Sequence, residues 1–120
     1  MAVILSVQQG TAILGTSVSA LNVALVAVDT SKTFIASGGT NNTGNGNVHF
    51  LRTDLYAATS FSINRVGTGS AITAVWYAVE FSEGAVVQHG TVIMTTTTTN
   101  SNIPTSVNTA NGFVLFTGQT

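Results

Sequence analysis

The stretch Ile72-Thr73-Ala74-Val75-Trp76-Tyr77-Ala78-Val79-Glu80-Phe81 decides how this chain folds. Successive side chains of a strand point to opposite faces. Val75, Tyr77, Val79 and Phe81 therefore share one face, and Ile72, Ala74 and Trp76 the other. A helix would gather its apolar residues three and four positions apart, which this run does not do. Being apolar on both faces, it predicts a central strand covered on both sides. Trp76 and Tyr77, as neighbours, point in opposite directions. At least one of them belongs in the core rather than in a sugar-stacking platform with Tyr56.

Working outward, the same period of two recurs in Phe61-Ser62-Ile63-Asn64-Arg65 and in Val48-His49-Phe50-Leu51-Arg52. No segment reads as a helix. Strands are expected near 2–9, 10–15, 20–28, 33–37, 47–53, 58–66, 71–81, 85–94 and 112–118. Gly67-Thr68-Gly69-Ser70 reads as a hairpin connection that would let Arg65 and Glu80 face each other as a cross-strand ion pair. Ser82-Glu83-Gly84 is a second turn. Residues 37–47 read as a Gly/Asn-rich loop, and Pro104 suits an edge strand or a loop. Many short strands at regular spacing predict an all-β protein: an antiparallel β-sandwich, jelly-roll-like, in a single domain over 1–120, with a compact barrel as the alternative.

The two ends of the chain repeat one module. Val7-Gln8-Gln9-Gly10-Thr11-Ala12-Ile13-Leu14 returns as Val87-Gln88-His89-Gly90-Thr91-Val92-Ile93-Met94. Val28-Asp29-Thr30-Ser31-Lys32-Thr33-Phe34-Ile35 returns, one residue out of step, as Val107-Asn108-Thr109-Ala110-Asn111-Gly112-Phe113-Val114. The duplicated module spans about 7–35 and 87–114, and its copies are expected at pseudo-equivalent edges of the sandwich, where flat edges invite association.

Composition narrows the function. Charged residues make up 6% of the chain, against about 25% in ordinary soluble domains. Thr, Ser, Asn and Gln supply 45 of the 120 residues, so the surface is polar but nearly uncharged. With a net charge of −1, a free monomer has little self-repulsion to keep it dispersed. Copies of the chain itself or a partner are expected to cover much of that surface. Lys32, Arg52 and Arg65 are the only Lys or Arg residues, too few for a phosphate-neutralising face, so no nucleic-acid partner is expected. No run approaches the roughly 18 apolar residues of a membrane helix, and the first residues lack the pattern of a signal peptide. Synthesis in the cytoplasm is the expectation, and Asn41-Asn42-Thr43 is read as a polar loop rather than a glycosylation site.

Reactive chemistry is sparse. The chain has no cysteine, which removes thiol catalysis, zinc–thiolate sites and disulfides together. His49 and His89 have no Cys, His or carboxylate at a metal-ligand spacing, so no metal site is assigned. Asp54 and the serines could join His49 in a triad, but there is no Gly-x-Ser-x-Gly elbow. Glu80 and Glu83 form a glycosidase pair only at the correct separation. Gly38-Gly39 lacks the Lys-Ser/Thr of a phosphate loop. No catalytic residue and no cofactor are assigned, and the chain is not read as an enzyme. The candidate assembly interface is the run Thr95, Thr96, Thr97, Thr98 and Thr99, an uncharged β-favouring ribbon continuing the strand that begins at Thr91. A solvated edge is the alternative for that run.

One resemblance adds to this reading. The run from Ser60 to Gly90, with Arg65-Val66-Gly67, Val79-Glu80-Phe81, then Val87-Gln88-x-Gly90 and a Thr-rich strand, resembles virion proteins of tailed bacteriophages. The module Val28–Phe34 and its echo extend the similarity over most of the chain. The resemblance implies a non-enzymatic capsid decoration, or cement, protein that binds the major capsid protein on the outer shell. The alternative it implies is a tail or fibre module contacting host glycans. The strand from Trp76 to Phe81 also faintly resembles H-type lectins, without a sugar-binding residue that carries across.

Overall fold

The computed structural model describes residues 2–40, 48, 50–93, 106–108 and 110–117, and over these the protein is all-β. Six strands follow in order: β1 (Ile4–Leu14), β2 (Ala20–Ala24), β3 (Thr33–Thr40), β4 (Arg52–Ala57), β5 (Ser60–Asn64) and β6 (Ile72–Phe81). They form two antiparallel three-stranded sheets, one in the order β1-β6-β3 and the other β2-β5-β4. The decisive stretch, β6, is the central strand of the first sheet. Its alternation sets the inner face: Ile72, Ala74, Trp76 and Ala78 are buried.

The inner faces of both sheets contribute to one apolar cluster, with Leu14, Ile35 and Ile72 from the first sheet and Leu55, Phe61 and Ile63 from the second. Phe61 is completely buried and meets Trp76 edge-on, with ring centroids 5.2 Å apart. Full burial of one such side chain stabilises the fold by about 1.5–3 kcal/mol. Room for the indole comes from β1. A Cβ on Gly10 would stand 2.8 Å from Trp76 Cζ2, so only glycine lets the strand pass under the ring. Residues 2–9 and 10–15, expected as two strands, form one strand because the register with β6 runs unbroken through Gly10, which pairs with Trp76.

Several expectations are corrected by the topology. The segment Gly67–Ser70 is not a hairpin: β5 and β6 lie in different sheets, and the connection arches between them. The amide of Gly69, at φ +101°, donates to the carbonyl of Thr16 within this arch. Arg65 consequently never meets Glu80. It is 3% exposed, and its guanidinium donates from Nε to Val18 O (2.9 Å), from Nη1 to Ser70 O (2.7 Å) and from Nη2 to Gly15 O (2.6 Å). The charge thus clamps two loops through carbonyl dipoles, which satisfies its buried donors. Glu80 instead accepts from Ser6 Oγ (2.9 Å) and from the amide of Asp29 (2.8 Å).

Other boundaries shift for local reasons. Residues 37–40, expected as loop, extend β3, because Ser37, Gly38, Gly39 and Thr40 continue the register opposite Trp76, Val75, Ala74 and Thr73. The strand expected at 47–53 begins only at Arg52 and runs into the tight Ala58-Thr59 turn before β5. The carbonyls of that turn accept from the amides of Val28 and Leu25, so residues 25–28, expected within a strand, instead hang on the turn. Residues 85–93 and 112–117 carry no strand, although strands were expected over 85–94 and 112–118.

Candidate functional site

The face of β6 opposite the core is only partly buried, against the expectation of a strand buried twice: Val79 and Phe81 are half-buried. Val75 and Tyr77 are 41% and 42% exposed. Cross-strand rows extend this face sideways: Val7, Val79 and Phe34 in one row, Gln9, Tyr77 and Ala36 in the next, then Thr11, Val75 and Gly38, then Ile13, Thr73 and Thr40. None of these positions carries Asp, Glu, Lys, Arg or His. Val7 and Ile13 are exposed as well. The sheet thus presents a flat, uncharged, largely apolar surface, the kind that marks an interaction site on a folded protein.

One end of that face is built by the loop between β2 and β3. Asp29 accepts from the amide and hydroxyl of Ser31 (2.9 and 2.6 Å), and the amide of Lys32 donates to Asp29 O (3.0 Å). This is an Asx-turn, in which a side-chain oxygen stands in for a backbone carbonyl. The Ser31 hydroxyl first, then its amide and Lys32, hold the Asp29 carboxyl below the usual carboxylate range. Lys32 Nζ lies 3.3 Å from Asp29 Oδ2. Thr33, completely buried, donates its hydroxyl to Asp29 O (2.7 Å) and aims the chain into β3.

The second copy of the module makes the same turn. The amide of Ala110 donates to Asn108 Oδ1 (3.0 Å), and the amide of Asn111 to Asn108 O (3.0 Å). Phe113, the counterpart of Phe34, packs against it edge-on with centroids 6.0 Å apart, while Phe34 also touches Phe81 at 5.9 Å. Beyond Phe113 the segment runs beside β3 toward the other sheet. Thr117 Oγ1 accepts from the amide of Thr53 on β4 (3.2 Å). Phe116 and Thr117, with Ser37, Gly38, Gly39, Phe50 and Leu51, border an open cleft of about 250 Å³ that has no titratable lining residue. Among the described residues no backbone–backbone hydrogen bond joins 112–117 to β3.

Residues 85–93 lie across the first turn. The amide of Val87 donates to Ser31 O (2.7 Å), and His89 Nε2 donates to Thr30 O (3.0 Å). The ring nitrogen facing that carbonyl therefore carries its proton. Gln8 of the first copy forms a side-chain rung, its amide accepting from Val26 N (2.8 Å) and donating to Val26 O (2.9 Å).

The residues singled out from the sequence scatter. Thr95, Thr96, Thr97, Thr98 and Thr99 lie outside the described residues, as do His49, Pro104 and Asn41–Asn47. Thr91, Val92 and Ile93, which lead into the threonine run, are exposed. Trp76 is core, Tyr77 stands on the outer face of β6 and Tyr56 is exposed on β4, so the three form no common platform. Asp54 is exposed on β4 and Glu83 on the turn after β6. Among the described residues no three His, Cys, Asp or Glu side chains gather at metal-binding distance, and no helix is long and apolar enough to cross a membrane. The paired Asx-turns were not anticipated, although Asp29-x-Ser31 and Asn108-x-Ala110 at matching places in the echo carry their signature.

No protein-family model matches the chain, and no curated protein or solved structure matches it significantly. The geometry of the uncharged face therefore carries the functional argument together with the sequence motifs.

Proposed function

We propose that this chain is a non-enzymatic structural protein of a tailed-bacteriophage virion, acting as a capsid decoration protein that binds the major capsid protein and stabilises the outer shell. In this reading the two sheets are a single-domain β-sandwich of jelly-roll type, assembled as a homotrimer on the capsid surface. The observation that carries it is the uncharged apolar outer face of the β1-β6-β3 sheet. A face of that kind suits permanent burial against protein, and it bears no group that would bind a nucleic acid or activate a substrate.

Attachment to the shell should be nearly indifferent to salt, because the chain carries only three Lys or Arg residues. Lys32 is paired with Asp29, and Arg65 is buried. The test is co-sedimentation of the purified protein with expanded capsids at about 0.05 and 0.5 M salt. Equal retention at both is expected. Absence of retention, with saturable binding to host cells or glycans, would replace the cement reading by that of a tail or fibre receptor-binding module, for which exposed Tyr56 is one aromatic contact.

A further inference from the structure

The second copy of the module places Asn111-Gly112 where the first has Lys32-Thr33. The two places differ in how their peptide groups are held. Thr33 is completely buried, donates its hydroxyl to Asp29 O and opens the ladder of β3 with β6. Asn111 and Gly112 are exposed, and among the described residues neither the Asn111 side-chain amide nor the Gly112 N–H has a hydrogen-bond partner. Gly112 also has no Cβ to screen its nitrogen. The other asparagines described are better protected. Asn22 and Asn64 lie within the β2-β5 ladder, and the amide of Arg65, which follows Asn64, donates to Ser19 O (2.8 Å). Asn108 keeps its side-chain oxygen on the amide of Ala110, and the β-branched Thr109 follows it.

We infer that Asn111-Gly112 is a site of spontaneous succinimide formation, which converts Asn111 to isoaspartate and aspartate and separates Phe113 from Phe34. The Gly112 nitrogen attacks Asn111 Cγ. A new C–N bond forms as the Cγ–Nδ2 bond breaks, and ammonia leaves with the proton that Gly112 N gives up. Water then opens the ring. Attack at the main-chain carbonyl leaves isoaspartate, attack at Cγ leaves aspartate, and neither step oxidises or reduces the chain. Either product adds a negative charge to a protein whose net charge is −1. Isoaspartate also inserts a methylene into the main chain directly before Gly112. Phe113 is the next residue, so its edge-on contact with Phe34, at 6.0 Å between centroids, is lost. The first copy has no side-chain amide at the equivalent place, and its turn stays as it is.

The reaction does not depend on the capsid reading and is tested on the full-length chain alone, aged at neutral and at mildly alkaline pH. Trypsin, which cuts after Lys32, Arg52 and Arg65, delivers Asn111 in the peptide 66–120 and the chain's other Asn-Gly pair, Asn45-Gly46, in the peptide 33–52. Electron-transfer fragmentation of 66–120 then distinguishes isoaspartate from aspartate at position 111. Conversion several-fold faster at Asn111 than at Asn100, Asn102 or Asn108 of the same peptide is expected. It should accelerate as pH rises, because the attacking nitrogen must lose its proton. Gly112→Ala should slow it several-fold, and Asn111→Gln should suppress it over the same period. Conversion no faster at Asn111 than at Asn108 overturns the proposal, and this comparison within the natural chain decides whether or not the variants fold. In parallel, the nuclear Overhauser contact between the rings of Phe34 and Phe113 should fade in proportion to the isoaspartate formed. Isoaspartate with that contact intact overturns the separation of the two rings.

Discussion

The two copies of the module have nearly the same words and different fates. In the first copy, Val7–Leu14 lies within β1 and Thr33–Ile35 opens β3, both paired with β6. In the second, Val87–Ile93 and Gly112–Val114 lie in none of the strands among the described residues. The buried residues Ala12, Val28 and Ile35 correspond to the exposed Val92, Val107 and Val114. Yet the backbone hydrogen bonds of the Asx-turn are the same in both copies, down to the amide donated back to Asp29 or Asn108. The difference teaches what is local and what is not. A turn closed by its own side chain forms wherever its sequence occurs, but a ladder needs a neighbouring strand, and β6 has only two edges.

The comparison can be broken first at its buried positions. Ile35→Ala should cost about 2–5 kcal/mol, since it empties a packed site, while Val114→Ala should stay within about 0.5 kcal/mol. Urea unfolding of the two variants at low protein concentration measures this. Equal losses would mean that the second copy is as well packed as the first.

The glycines offer a smaller contrast. Gly10→Ala drives a methyl group into Trp76, whose ring is backed by Phe61, and overpacking of this kind costs about 1–3 kcal/mol. Nothing lies within 4 Å of a Cβ at Gly90, so Gly90→Ala should leave the unfolding midpoint unchanged. A matching loss at Gly90 would reveal a partner for the second copy that resembles Trp76. That measurement sharpens the comparison whichever way it falls.

The smallest effect concerns acid. The carboxyl of Asp29 is held below its ordinary value by Ser31 and Lys32, so the charged form is favoured in the folded state. The stability this contributes is present above the unfolded value near 3.8 and is lost as pH falls through the lower folded value. Asn108 does not titrate, so the acid sensitivity belongs to the first turn alone. Asp29→Asn should keep the turn, as the second copy does, and remove its part of the decline in thermal midpoint below about pH 4. An unchanged decline would assign that loss to other carboxylates.

Much of the fold could be read from residue patterns. The alternation over 72–81 identified the central strand and divided its faces as observed, with Ile72, Ala74 and Trp76 inward and Val75 and Tyr77 outward. Its outer residues are apolar enough to read as buried, yet Val75 and Tyr77 are exposed. The hairpin expected at Gly67–Ser70 failed because turn residues report that the chain reverses, not whether it returns to the same sheet. Arg65 shows the consequence, since three carbonyls from two loops hold it where a carboxylate was expected. The candidate face was legible only in part. Its residues lie on three strands far apart in the chain, and their rows exist only once β1 and β3 flank β6.

By itself, the sequence determined the properties that depend on near neighbours: extended segments of period two, the inward and outward sets of β6, and two Asx-turns closed within a few residues. The tertiary structure decided which sheet each strand joined and which copy of the module entered a ladder. It also decided that, among the described residues, an apolar sheet face and the segment Phe113–Phe116 are both exposed. The physical reason is that side-chain alternation and turn closure are short-range, whereas hydrogen-bond pairing is a competition for a limited number of strand edges across the whole fold.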